Sequence, residues 1–308
     1  MKEKKPNLKS MHEKFNDASK NVGVAAEMAG NAALQWGNSA KNAGNEAIQK
    51  LKDFDLRSMQ TNPGYIIQQI TRIPYVRIDR VEFLRKELIK YYPERIVNLA
   101  IAKNPAYAGI EQDKINGIAK QVINFETNKV SAISFAAGMP GGFAMAVTVP
   151  ADITQYFCSI IRVMQKLAYL YGFEEFEFNE SEVSDDTLNQ VMIFLGVMYG
   201  VQGANAGVKL IAQTVSQKIA KTLANKALTK GAIYPIVKKI SLTVGFSMTK
   251  PLFATGVSRT VPVIGGVVTG GLTYATFKPL SYNLQKSFKK LKLSDPKFYK
   301  EQNGIIDV

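Results

Sequence analysis

Few side chains in this sequence could carry out catalytic chemistry. The only histidine is His12 and the only cysteine is Cys158, so a Ser-His-Asp or Cys-His arrangement cannot be assembled in the body of the chain. A zinc site needs several Cys or His ligands, and two such residues do not provide them. We therefore predict no histidine-dependent catalysis, no metal site and no cofactor.

Carboxylates and glycines offer a second kind of chemistry. The acidic residues between positions 174 and 186 occur without a basic residue among them, but their spacing is not that of a calcium loop, so we interpret them as a solvated linker. The segment 138–142, Gly-Met-Pro-Gly-Gly, lacks the Gly-Lys-Ser/Thr ending of a phosphate-binding loop and is predicted to be a packing turn. An acid and a base, Asp152 and Arg162, are the candidates for an enzyme that acts on a lipid or phosphate compound.

Positive charge is concentrated near the C-terminal end. The net charge is +14, and residues 200–308 carry sixteen Lys or Arg against three acidic residues, which gives +13 there. Such an excess attracts polyanions. Arg259 is the single arginine after position 200 and few aromatics are interleaved, so sequence-specific nucleic-acid binding is not predicted. The candidate anion-binding residues are Lys209, Lys218, Lys221, Lys226, Lys230, Lys238, Lys239, Lys286, Lys289, Lys290 and Lys292.

The elements that must position these residues are helices. Apolar residues recur at steps of three and four from 153 to 171, with Pro150 as the predicted start and Gly172 as the end. The segment 188–207 has the pattern of one amphipathic helix whose glycines, at helical spacing, would open a groove for close packing. Breaks are predicted at Pro74 and Pro93. Since no segment shows strand alternation, the sequence predicts an all-α, compact, glycine-rich helical bundle.

Two segments carry no formal charge: 130–151, which is long enough to cross a bilayer, and 260–277, which is near the minimum length. Both contain glycines and prolines, so we interpret them as helices packed within the protein, and leave open whether lipid or the protein's own core surrounds them. Between Lys209 and Lys239 an i+4 apolar row and seven lysines predict a basic amphipathic helix.

The N-terminal part differs from the rest. Three aligned heptads rich in Ala, Gly and Asn fill residues 29–49 and predict an amphipathic helical arm, although a frayed tail fits the pattern equally well. We divide the chain into this arm at 1–62, a helical domain at 63–292 and a C-terminal tail at 293–308. The single cysteine and the charged start, Met-Lys-Glu-Lys-Lys-Pro, lead us to expect a cytoplasmic location.

Several motifs resemble the signature of the EcsC protein family. They are Pro140-Gly141-Gly142, Val149-Pro150-Ala151-Asp152, Arg162 and Tyr169-Leu170-Tyr171-Gly172-Phe173. The likeness extends over roughly residues 65–290, including 73–85 and 261–266, and does not cover the N-terminal arm. It implies a helical fold and work at or near the cytoplasmic membrane, linked to an ABC-transporter system, with no established reaction. The family-motif candidates are Pro140, Gly141, Gly142, Asp152, Arg162 and Tyr171. Each also has a structural interpretation: the first three as a turn, Asp152 as a helix cap, Arg162 as an exposed base and Tyr171 as a core aromatic.

Three hypotheses for function follow. The leading one is a non-enzymatic, membrane-associated protein at the inner face of the cell membrane, whose basic C-terminal face meets anionic lipid or a membrane protein. The second is an enzyme with a site around Asp152 and Arg162. The third is a soluble adaptor that binds an acidic protein. Self-association is left open in all three.

Overall fold

The computed structural model describes residues 63–71, 73–137, 145–178, 183–219, 236–238, 240 and 262–302. The predicted arm at 1–62 lies outside these residues, as do the predicted packing turn at 138–142 and most of the segment 220–261. Of the described part, 77% is helical and no residue belongs to a strand, apart from an isolated bridge between Phe178 and Val183. The predicted all-α fold is therefore confirmed for this part of the chain.

The first helices of the body are short and are separated by prolines. Helix α1 spans Pro63–Thr71, a 3₁₀ helix spans Pro74–Val76, α2 spans Arg80–Leu88 and α3 spans Glu94–Ala102. Asp79 caps α2, because its carboxylate accepts a hydrogen bond of 2.7 Å from the backbone N–H of Glu82. The extended backbone of Pro93 precedes α3. Both predicted breaks, at Pro74 and Pro93, are confirmed.

Two long helices form the centre of the fold. Helix α4 spans Gln112–Ala137 and α5 spans Met145–Leu170, each 26 residues or about 39 Å long, and they pack against one another. The end predicted at Gly172 is confirmed. Its φ of 98° is in the left-handed region, and the N–H groups of Gly172 and Phe173 donate to the carbonyls of Tyr169 and Ala168.

The start of α5 differs from the prediction. The helix begins at Met145, so Pro150 is its sixth residue and Asp152, the predicted helix cap, is its eighth; neither lies in its first turn. A proline there removes one intrahelical N–H donor, and the helix continues through it. The expectation failed because proline marks a helix start only when no favourable helical segment precedes it.

The segment 188–207 contains two helices, which corrects the prediction of one. Helix α6 spans Asp185–Met198 and α7 spans Ala204–Ile219. Gly200 and Gly203 lie in the turn between them with φ of 71° and 93°, conformations that glycine adopts without strain. A Cβ added at Gly200 would meet no atom within 4 Å, so a larger residue there would strain the backbone and not overpack the core.

Gly196 and Gly207, the other two glycines of the segment 188–207, do allow close packing. A Cβ on Gly196 would lie 2.7 Å from Cδ1 of Ile240, and one on Gly207 would lie 3.1 Å from the Ile193 side chain. The predicted groove is therefore real at these two positions, one on each helix.

The last part of the body combines a long helix with a short one. Helix α8 spans Pro262–Phe288, a 3₁₀ helix spans Lys292–Ser294 and α9 spans Pro296–Gln302. Helix α8 packs along α4, and also against α5 and α6. Among the described residues, no helix combines the length and the apolar character that a membrane crossing requires.

Residues 293–302 of the predicted C-terminal tail pack on the helical domain. The Tyr299 side chain is buried, and its hydroxyl accepts a hydrogen bond of 2.9 Å from Nδ2 of Asn104. Leu293 is also fully buried. Residues 293–302 therefore belong to the folded domain.

An aromatic cluster fixes the C-terminal end of α8. The ring centroid of Phe288 lies 4.8 Å from those of both Phe173 and Phe194, and those two rings are 5.0 Å apart. All three side chains are fully buried. Because the last residue of α8 is anchored in this cluster, the chain that follows leaves the core at a defined place.

Candidate functional site

Lysines dominate the C-terminal surface of the described structure. Seven of the eleven candidate lysines are described, and each is exposed to solvent. The other four, Lys221, Lys226, Lys230 and Lys239, lie outside the described residues. We call the seven the basic face; they are Lys209, Lys218, Lys238, Lys286, Lys289, Lys290 and Lys292.

Three lysines of the basic face meet at a cleft of about 380 Å³. One wall is the face of α7 that carries Lys209, Gln213 and Gln217 at i, i+4 and i+8. The other wall is the turn after α8, which contributes Lys290 and Lys292. Among the described residues, the cleft is lined by Lys209, Ala212, Gln213, Ser216, Gln217, Lys290, Leu291, Lys292, Leu293 and Phe298.

The turn after α8 holds its lysines outward because its leucines are anchored inward. Leu291 and Leu293 are buried, whereas Lys290 and Lys292 are exposed. The Ser294 hydroxyl is within hydrogen-bonding distance of the carbonyl oxygens of Phe288 and Leu291, at 3.0 and 2.9 Å, which closes the turn. The 3₁₀ helix of this turn also packs against α7. Both walls are thus held by secondary structure and not by a free loop.

The cleft carries uncompensated positive charge. No ion pair within the described part of the chain includes Lys209, Lys290 or Lys292; the one basic-face lysine that forms such a pair is Lys218, 2.8 Å from Glu174. The nearest acid in sequence, Asp295, is engaged in capping α9, where its carboxylate accepts the N–H of Lys297 at 3.0 Å. Among the described residues, the lining of the cleft therefore includes three lysines and no carboxylate.

The lining also includes the apolar residues Ala212, Leu291, Leu293 and Phe298. Of these four, only Phe298 is partly exposed; the other three are buried. The Ser216 hydroxyl, also in the lining, donates to the carbonyl of Gln213 at 3.0 Å, which leaves its oxygen able to accept a further hydrogen bond. The site combines cations, neutral polar groups and hydrocarbon.

The family-motif candidates do not form one site in the described structure. Pro140, Gly141 and Gly142 lie outside the described residues, and the side chain of Asp152 is not described. Asp152 and Arg162 are both on α5, and ten residues of helix separate them by about 15 Å along the axis. The two positions are therefore not adjacent along the helix.

Tyr171 has a structural environment. Its hydroxyl donates to Oδ1 of Asn116 at 2.7 Å and accepts from Nε2 of Gln285 at 3.2 Å. Burial raises the pKa of the Tyr171 phenol to about 12. It therefore joins α4, α5 and α8 as a neutral hydrogen-bonding residue, in agreement with its interpretation as a core aromatic.

Arg162 is not the exposed base that the sequence suggested. It is partly buried, its Nη1 donates to the carbonyl of Tyr75, and its guanidinium lies 4.2 Å from the centroid of the Tyr75 ring. Lys129 donates to the hydroxyl of the same tyrosine at 2.7 Å. Tyr75 is thus held between two cations, an arrangement that depends on three elements distant in sequence.

A buried ion pair between α4 and α5 was missed by sequence reasoning. Nζ of Lys166 lies 2.5 Å from Oε1 of Glu126, whose side chain is 2% exposed. Burial by itself would raise the pKa of the Glu126 carboxyl, but the charges of Lys166, Lys129 and Arg162 and the hydrogen bond from Lys166 hold it below its ordinary value. The sequence signal was a glutamate in the apolar row of α4 that contains Val122, Ile123 and Val130.

Other reactive groups in the described structure are not arranged for chemistry. Burial raises the pKa of the Cys158 thiol to about 12, so this side chain is a poor nucleophile. No group of three or more His, Cys, Asp or Glu side chains among the described residues could hold a metal ion. The cleft on the basic face is the site whose chemistry points to a ligand.

Comparison with known proteins adds no relative. No protein-family model, curated protein or solved structure matches this chain. The EcsC resemblance therefore rests on its motif residues alone.

Proposed function

We propose that this protein is a non-enzymatic helical protein that binds anionic membranes peripherally through its basic face. The observation that carries the proposal is the state of the lysines. All seven described lysines of the basic face are exposed, and within the described residues only Lys218 has an acidic partner. The other ammonium groups are available to an external anionic surface.

The energetics of such binding follow from the charges. Each lysine close to an anionic lipid surface contributes about 1 kcal/mol, and the attraction decays within about 8 Å at physiological salt. Several lysines that reach the surface together are sufficient for reversible binding. Because the contribution is electrostatic, binding should weaken steeply as the salt concentration rises.

The EcsC resemblance supports the same location. It implies work at or near the cytoplasmic membrane, and the proposed site of action is accordingly the inner face of the cell membrane. A membrane protein with an acidic surface would satisfy the same lysines, and a transporter is the type of partner that the resemblance suggests.

Co-flotation with vesicles tests the proposal. We compare the intact protein on neutral and on acidic vesicles with the variant Lys286→Gln/Lys289→Gln. Removing two charges should weaken binding to acidic vesicles by about 2 kcal/mol, or about thirtyfold, at low salt. The matched control is Lys86→Gln/Lys120→Gln, on α2 and α4, because both lysines are exposed and neither forms an ion pair within the described residues. This control should float like the parent.

Two results would refute the proposal. Equal flotation on neutral and acidic lipid would remove the electrostatic basis, and no flotation on either would favour the soluble adaptor that binds an acidic protein. The enzyme hypothesis gains no support from the separation of Asp152 and Arg162 along α5.

A further inference from the structure

The cleft between α7 and the turn after α8 has features that general attraction to a charged surface does not require. General attraction needs only exposed cations. Here Lys209 on one wall faces the cleft together with Lys290 and Lys292 on the other, while Lys286 and Lys289 of the same basic face are not part of the lining. The cleft therefore concentrates three of the seven described charges in one concave place.

The size of the cleft suits a small group. Its volume is about 380 Å³, which is within the usual range of small-molecule sites, about 300–1,000 Å³. Water takes about 30 Å³ per molecule in the liquid, so the cleft has room for a phosphate and several further heavy atoms.

The charge in the lining selects a multiply charged anion. Each lysine ammonium offers three donors and no acceptor. Three of them without a carboxylate match a phosphate monoester, which carries about −1.5 to −2 at neutral pH, better than a phosphate diester with a single charge. The Gln213 amide can donate to a further oxygen of the bound group.

Phe298 gives the cleft an apolar contact for the rest of the ligand. Of the four apolar lining residues, Ala212, Leu291 and Leu293 are buried and only Phe298 is partly exposed. Inorganic phosphate would leave the Phe298 ring in contact with water, whereas a ligand with an apolar stem would cover it.

We propose that this cleft binds a phosphate monoester attached to an apolar stem, as in the head of a lipid with a terminal phosphate. The proposal rests on the proposed function, because it names the lipid chemistry that the basic face prefers. The three lysines bind the phosphate oxygens, and the partly exposed Phe298 ring contacts the glycerol and the first carbons of the chains.

Calorimetric titration of the full-length protein tests the cleft without a membrane. The probes are dihexanoyl phosphatidic acid below its micelle concentration, dihexanoyl phosphatidylglycerol and glycerol 3-phosphate. The first is a monoester with a stem, the second is a diester with a stem, and the third is a monoester without hydrocarbon chains. We expect phosphatidic acid to bind at least about tenfold more tightly than either of the others. The diester loses a charge-assisted contact, and glycerol 3-phosphate loses the apolar contact of the chains, each of which costs about that factor.

Two lysine pairs with equal charge separate the cleft from the surface. Lys290→Gln/Lys292→Gln should weaken phosphatidic acid binding by at least about tenfold, and Lys286→Gln/Lys289→Gln should change it by less than about threefold. Lys209→Gln, on the opposite wall, should also weaken it. All five side chains are exposed, so melting curves should show that each variant folds like the parent.

Each outcome decides the question. Equal weakening by both pairs, or no binding of phosphatidic acid, overturns the cleft proposal. Equal binding of glycerol 3-phosphate overturns the apolar stem and identifies a soluble phosphate compound as the ligand. If the cleft fails while flotation still depends on acidic lipid, the proposed function stands alone; if flotation fails as well, both are wrong.

Discussion

Replacing Lys166 with methionine would leave the Glu126 carboxylate buried without its closest partner. The Glu126 side chain is 2% exposed and the Lys166 side chain 15%, and their charged atoms are 2.5 Å apart. Removing one partner of a buried ion pair costs about 3–5 kcal/mol. Lys129 and Arg162 still act on the carboxylate, so we expect the lower end, about 3 kcal/mol. A loss of that size is a large part of a typical domain's stability, about 5–15 kcal/mol.

Urea denaturation followed by circular dichroism measures this cost. The control is the double variant Glu126→Met/Lys166→Met, which removes both charges and keeps side-chain volume. Since apolar replacement of a buried pair is often neutral, its free energy of unfolding should lie within about 1–2 kcal/mol of the parent. A cost below about 1 kcal/mol for Lys166→Met alone would mean that water or another cation already satisfies Glu126, and would refute the reasoning.

The pH dependence gives an independent check of the same pair. In the parent, the folded-state pKa of Glu126 is below its ordinary value. Its contribution to stability is therefore complete above the unfolded-state pKa, about 4.3, and is lost as pH falls through the lower folded-state value. In Lys166→Met the burial of the carboxyl is less compensated, so its pKa should rise. The difference between variant and parent should thus be largest near neutral pH and should shrink on acidification.

Two further predictions follow from the core. Phe288→Ala should lower the free energy of unfolding by about 3–5 kcal/mol in the same assay, because it removes a fully buried ring that contacts Phe173 and Phe194. A loss below about 1 kcal/mol would contradict the tight packing of this aromatic cluster. The Cys158 thiol, 4% exposed and with a pKa raised to about 12, should react with a disulfide reagent at pH 8 only after unfolding in guanidinium, and rapid stoichiometric labelling of the native protein would show that it is accessible.

Local patterns predicted the helices because helices depend on neighbours in sequence. The row of apolar residues in α5 faces the core, and the left-handed Gly172 ends it, since both properties arise within a few residues of chain. The exposure of the basic face was also predictable: an unpaired ammonium is too costly to bury, so the lysines of an acid-poor segment remain at the surface. Where a local signal was ambiguous, as for Pro150, the boundary was misplaced.

Tertiary structure decided everything that depends on distant residues. Gly196 and Gly200 belong to one series of glycines at helical spacing in the sequence. Gly196 nevertheless packs against Ile240, whereas Gly200 lies in a turn. Glycine serves close packing and left-handed turns equally well, so its position alone does not distinguish the two. Partners likewise came from the fold, as in the pairing of Glu126 with Lys166 across two helices.

The cleft shows the same division between sequence and fold. The sequence identified Lys209, Lys290 and Lys292 as cations, because charge is a property of composition. Only the packing of α7 against the 3₁₀ helix after α8 places Lys209 beside lysines some eighty positions away, in one cleft with the partly exposed Phe298. That juxtaposition results from the burial of Leu291, Leu293 and Phe288 in a shared core, and such long-range packing is not written in any local pattern.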